Sequence, residues 1–185
     1  ILMALVMKGS RRDLSRLSDI WNDVDRKGMK WIVGMGCEMI NLEAIKFFIE
    51  TMKCDTEEEY YDLSAERKIP RHLVHIRSVC RCLSILKYLV SEGVDVNQVD
   101  IRGRSPVLIA SSHGHLSVVE YFVSKGVDEN QVDIRGRSPV LIASHDGHLS
   151  VVEYLVSKGV DENQVDDVGM SPVWIASHDG HLSVV

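Results

Sequence analysis

Through the second half of the chain, apolar and polar positions come in blocks. A compact apolar run, Val107 to Ala110, leads into the polar stretch Ser111 to His115. A longer mixed run follows, with Leu116, Val119, Tyr121, Phe122 and Val123 apolar and Ser117, Glu120 and Ser124 polar. The spacing of the mixed run predicts a helix with one apolar face, and the compact run predicts a short helix buried on most sides. Ser105 before Pro106 marks a helix start: the serine hydroxyl accepts a bond from a free helical N–H, and proline at the first helical position loses none. Gly114 and Gly126 mark the two helix ends, where the left-handed conformation is often required. The polar segment holding Arg102, Gly103 and Arg104 suits a protruding turn.

The whole block recurs. "VDIRGRSPVLIASSHGHLSVVEYFVSKGVDENQ" runs from Val99 to Gln131, and a second copy, Val132 to Gln164, differs only at Ser112/His145, His113/Asp146 and Phe122/Leu155. A third starts at Val165 and stops at Val185, so the starts lie 33 residues apart. Its helix-start and helix-end signals return as Ser138-Pro139 and Ser171-Pro172, as Gly147-His148 and Gly180-His181 beside Gly114-His115, and as Gly159 beside Gly126. A 33-residue unit is shorter than the roughly 40 residues below which chains rarely fold unaided, so each must bury its apolar face on a neighbour.

These residues resemble the ankyrin repeat. The family's pattern, roughly G-x-T-P-L-H-x-A-A-x-x-G-H-x-x-V-V-x-x-L-L-x-x-G-A-x-x-N, is met at Gly103, Pro106, Ala110, Gly114, His115, Val119, Phe122, Gly126 and Asn130. Ser105 stands for its Thr, and Leu108, Leu141 and Trp174 stand where the family usually has His. The resemblance implies an all-α, ankyrin-repeat solenoid of stacked helix-turn-helix units with protruding finger turns. It is plain from Lys87 onward, with "LSILKYLVSEGVDVNQ" from Leu83 to Gln98 the second half of another unit, and looser before, where "NLEAIKFFIE" and "DLSRLSDIWND" resemble the second helix again. The expected organisation is divergent ankyrin-like units over 1–98 with an insertion near 54–66, repeats at 99–131 and 132–164, and a truncated repeat at 165–185.

Composition narrows the partners. Lys plus Arg total 21 against 27 for Asp plus Glu, a net charge of -6, and no dense basic block is present to hold duplex nucleic acid. No apolar run approaches the roughly 20 residues that cross a bilayer, and "ILMALVM" lacks the marks of a secretion signal. The four cysteines, Cys37, Cys54, Cys80 and Cys82, include no CxxC and suit a reducing compartment, the cytoplasm or second the nucleus. Because it opens on Ile1 and stops inside a repeat, the sequence reads as part of something longer.

The conspicuous chemistry is "SHDGHLSVV", present at Ser144–Val152 and Ser177–Val185. Zinc needs about four ligands converging at about 2 to 2.3 Å, and Gly147 and Gly180 set the histidines on either side of a turn. His115, His148 and His181 read as structural: the resemblance implies hydrogen bonds within and between units. His145, Asp146, His178 and Asp179 sit where copies vary, with no cradle for a substrate, and read as contact surface. His72, His75, Cys80 and Cys82 have ligand-type side chains at loose spacing, better suited to a divergent helix with small buried cysteines. The run Glu57 to Asp62 suits a solvated helix start or a docking loop, and both readings stand.

The resemblance implies that a partner meets the finger tips and the concave face. Those places hold Arg102, Arg104, Ser112 and His113, then Arg135, Arg137, His145 and Asp146, then Asp167, Val168, Met170, His178 and Asp179. The four arginines offer a seat for carboxylates or phosphates, or else pair with Asp100, Asp128, Glu129 and Asp133 along the fingers. The expectation is a non-catalytic protein-interaction scaffold, monomeric, without cofactor, metal or small-molecule substrate. The alternative is the targeting arm of a larger enzyme of kinase or ubiquitin-ligase type.

Overall fold

The computed structural model describes residues 42–46, 60–61, 70–71 and 82–185. The chain divides into two compact units, 1–95 and 96–185. In the first, helix α1 spans Leu42–Lys46 and α2 spans Leu83–Ser91. Two-residue strands β1, Tyr60–Tyr61, and β2, Pro70–Arg71, pair antiparallel with Tyr60 opposite Arg71. Ile85, Leu86 and Leu89 make the buried face of α2, and the Lys46 ammonium lies 5.7 Å from the centre of the Tyr88 ring.

The second unit is built from helix pairs. The first complete copy forms α3, Pro106–Ser112, and α4, Leu116–Ser124; the second forms α5, Pro139–His145, and α6, Leu149–Ser157; the third begins with α7, Pro172–His178. In α3, α5 and α7 proline takes the first position, and the preceding Ser105, Ser138 or Ser171 accepts a hydrogen bond from the N–H of Leu108, Leu141 or Trp174. The capping satisfies a donor that a helix of seven residues could least leave open.

Two helical layers result. α5 packs between α3 and α7, while α4 and α6 lie side by side behind them. Val107, Leu108, Ile109 and Ala110 are all buried, as the compact run predicts, and Val140 to Ala143 repeat the arrangement. In α4 the fully buried residues are Val118, Val119 and Phe122. Val118 thus joins the apolar face, and Leu116, Tyr121 and Val123 flank it half-exposed. Large apolar side chains buried this way contribute about 1.5–3 kcal/mol each, drawn mainly from neighbouring units. Leu182 to Val184 form a turn, closed by the Val184 N–H donating to the His181 carbonyl at 2.9 Å.

Candidate functional site

The finger is a turn folded around one aspartate. Asp100 Oδ1 accepts the main-chain N–H of Arg102 at 2.9 Å and of Arg104 at 3.0 Å. That fixes the carboxylate so that Oδ2 faces back along the turn, where it accepts Arg104 Nε–H at 2.9 Å and Nη2–H at 2.7 Å. Asp133 repeats this with Arg135 and Arg137: main-chain bonds of 2.9 and 3.1 Å, guanidinium bonds of 3.0 and 2.6 Å. Burial pushes both carboxyls up, but the guanidinium and the two main-chain donors outweigh it, and both titrate below the ordinary value of 3.8. The fingers are also joined: Ile134 N–H donates to the Arg102 carbonyl and Asp167 N–H to the Arg135 carbonyl, each at 3.1 Å.

The four arginines therefore divide. Arg104 and Arg137 are half-buried and held by their own aspartates, whereas Arg102 and Arg135 are exposed and form no ion pair among the described residues. Between them stand two side chains that the polar pattern concealed. Ile101 and Ile134 are 68% and 67% exposed, apolar tips on a turn otherwise read as polar. The third finger keeps the turn and drops its closure. Asp166 Oδ1 accepts the N–H of Val168 at 3.1 Å and of Met170 at 2.9 Å, but Met170 carries no guanidinium to reach Oδ2.

Between the second and third fingers lies an open groove of about 420 Å³. Leu141 and Ile142 of α5 and Ile175 of α7 form its apolar floor. Arg135 and Arg137 of the second finger, Asp166, Asp167, Val168 and Met170 of the third, and His145 at the end of α5 line it as well. The residues expected on the concave face thus divide: Arg135, Arg137, His145, Val168 and Met170 meet here, while Arg102, Arg104, Ser112 and His113 belong to the preceding unit. There the Ser112 hydroxyl donates to the Ile109 carbonyl at 2.9 Å and touches His113 Nδ1 at 2.7 Å.

A row of exposed histidines and aspartates runs past the groove. His145 Nδ1–H donates to Asp146 at 2.6 Å while its Nε2 lies 3.8 Å from Asp179, and His178 Nδ1–H donates to Asp179 at 2.8 Å. The His178 hydrogen bond holds the Asp179 carboxyl below its usual value, and exposure limits the consequence to local structure. Trp174 stacks on His178 with ring centres 5.1 Å apart and is 51% exposed, where Leu108 and Leu141 are buried.

Two of the three Gly-His-Leu-Ser histidines, His148 and His181, act between repeats. His148 Nε2–H donates to the Ser112 carbonyl at 3.2 Å, and His181 Nε2–H to the His145 carbonyl at 2.9 Å. Gly114, with φ of 68°, lets the His148 ring pass: a Cβ there would stand 2.6 Å from Nδ1. Cys82 Sγ lies 3.2 Å from Ser84 Oγ, while His72, His75, Cys80 and most of the run Glu57 to Asp62 fall outside the described residues. Among the described residues no group of three His, Cys, Asp or Glu converges to hold a metal ion, and no helix is long and apolar enough to cross a membrane.

Helix pairs stacked at a 33-residue period, with aspartate-centred turns projecting from one edge, define a tandem-repeat solenoid. A family model described as ankyrin repeats, in three copies, matches residues 2–133, 74–166 and 126–185, and the chain belongs to the ankyrin-repeat family. Among curated proteins, none matches. Ankyrin repeats are generally protein–protein interaction modules and typically have no catalytic activity.

Proposed function

We propose that the chain is a non-catalytic scaffold that holds another protein against its fingers and the groove between the second and third. The reading takes the repeats at 99–131, 132–164 and 165–185 as the binding array and the earlier residues as divergent units. It takes the chain as monomeric and cytoplasmic, with neither nucleic acid, membrane nor small molecule as its partner, in keeping with the net charge of -6. The observation that carries it is the exposed line Ile101, Arg102, Ile134, Arg135 and Val168 beside an apolar-floored groove. Main-chain bonds between fingers hold that line rigid before anything binds, which lowers the entropy lost on association. Apolar tips next to arginines match the composition of protein contacts better than that of a solvated edge.

The test is capture of binding proteins on the immobilised chain, compared with Ile101→Asp, Ile134→Asp and Arg135→Glu combined, both checked for equal helicity by circular dichroism. A protein retained by the first and lost by the second is expected. Equal capture by both would overturn the reading.

A further inference from the structure

We infer that the third finger is a receptor for an arginine side chain supplied by the partner. The inference rests on the groove being a protein-binding surface and specifies what enters it. The same carboxylate occurs three times in one chain, which provides an internal comparison. At Asp100 and Asp133 the outer oxygen accepts two N–H groups of a guanidinium, with the shorter bonds at 2.7 and 2.6 Å. At Asp166 the inner oxygen makes the same two main-chain bonds, so the carboxylate is held in the same attitude, and Oδ2 has no hydrogen-bond partner among the described residues. Methionine at 170 stands where Arg104 and Arg137 stand.

The vacated position opens into the groove, since Asp166 and Met170 both line it. Charge favours a cation there. Arg137 is neutralised by Asp133, leaving Asp166 and Asp167 against Arg135 alone among the lining groups that are charged at neutral pH. A phosphate or carboxylate would meet two carboxylates. An arginine would place Nε–H and Nη–H on Asp166 Oδ2, as Arg104 and Arg137 do on theirs, and lay its methylene stem over Met170 and Leu141. Lysine, a single point of charge without the planar fork, reproduces only part of this.

The experiment titrates Nα-acetyl-arginine methylamide into the isotope-labelled chain and follows the amide signals of Val168 and Met170, whose N–H groups share the Asp166 carboxylate. The citrulline analogue, equal in shape and uncharged, is the control. Expected are saturable shifts at those two amides, with citrulline weaker by at least about tenfold. Met170→Arg, which gives the third finger the clasping arginine of the second and preserves its turn, is expected to abolish them by filling the site from within. Absence of shifts with arginine, equal shifts with citrulline, or undiminished binding to Met170→Arg would each overturn the inference. Any of these beside partner capture that still depends on Ile134 and Arg135 would leave the scaffold reading standing and remove only the arginine.

Discussion

The second and third fingers share a backbone and differ in how they are closed. Both turn around an aspartate whose Oδ1 holds the N–H groups two and four residues on, and both place a glycine in the left-handed region, Gly136 at 73° and Gly169 at 82°. Only the second is tied across by a guanidinium, and only its glycine has another finger against it. The turn's shape therefore comes from aspartate and glycine, and arginine adds a clasp. A repeat protein that separates shape from clasp can alter the groove wall at one position and leave the stack intact.

Alanine at the two glycines gives the widest separation. A Cβ on Gly136 would stand 2.6 Å from Asp167 Oδ1 and 3.0 Å from the Asp167 main-chain nitrogen, whereas one on Gly169 meets nothing within 4 Å. Left-handed strain applies to both, so Gly136→Ala is expected to cost about 3 kcal/mol and Gly169→Ala about 1 kcal/mol in urea unfolding. Equal costs would mean that the contact between fingers carries no energy. The aspartates come next. Asp133→Ala removes the acceptor of four hydrogen bonds and strands a half-buried guanidinium, an expected loss of about 2 kcal/mol, against about 1 kcal/mol for Asp166→Ala. If both cost the same, the clasp contributes nothing.

Acid gives the smallest effect. The Asp133 carboxyl titrates below 3.8 in the folded chain, so its contribution is fully present above the unfolded value and is lost as pH falls through the lowered one. Arg137→Met, which removes the clasp from the second finger, takes away part of that lowering. Thermal unfolding followed from pH 5 to 2 is expected to show a shallower loss for Arg137→Met than for the wild type. An unchanged slope would assign the lowering to the main-chain donors alone.

The sequence carries the period, the serine–proline starts and the glycine ends plainly, because each is a local signal repeated in copies that differ at few positions. Local signals also explain the buried run Val107 to Ala110. The division of the arginines is not local in that sense. Arg102 and Arg104 look alike in a string of letters, and what separates them is the direction in which Asp100 points once its own turn has formed. Val118 escaped the helical spacing because α4 packs on both α3 and α6 and buries a wider stripe than a helix lying on one neighbour. Likewise the acceptor for His148 lies 36 residues back in another unit, beyond any reading of neighbouring positions. Asp166 is hidden by its neighbour: Met170 stands in the sequence only as one of the finger positions, and the lost guanidinium is visible only beside two filled copies.

The joint made by His148 on Ser112 is made again by His181 on His145, with the same atoms at the same separation along the chain. Each joint is therefore an interchangeable part. An unequal exchange between copies of the coding sequence that adds or drops one whole unit brings a ring and a carbonyl of the same kind together, and the stack reseals. A change of any other length leaves the ring facing the wrong residue. The histidine thereby makes gain and loss of whole repeats a heritable variation that the fold tolerates, and it lets the number of fingers be altered without redesigning one.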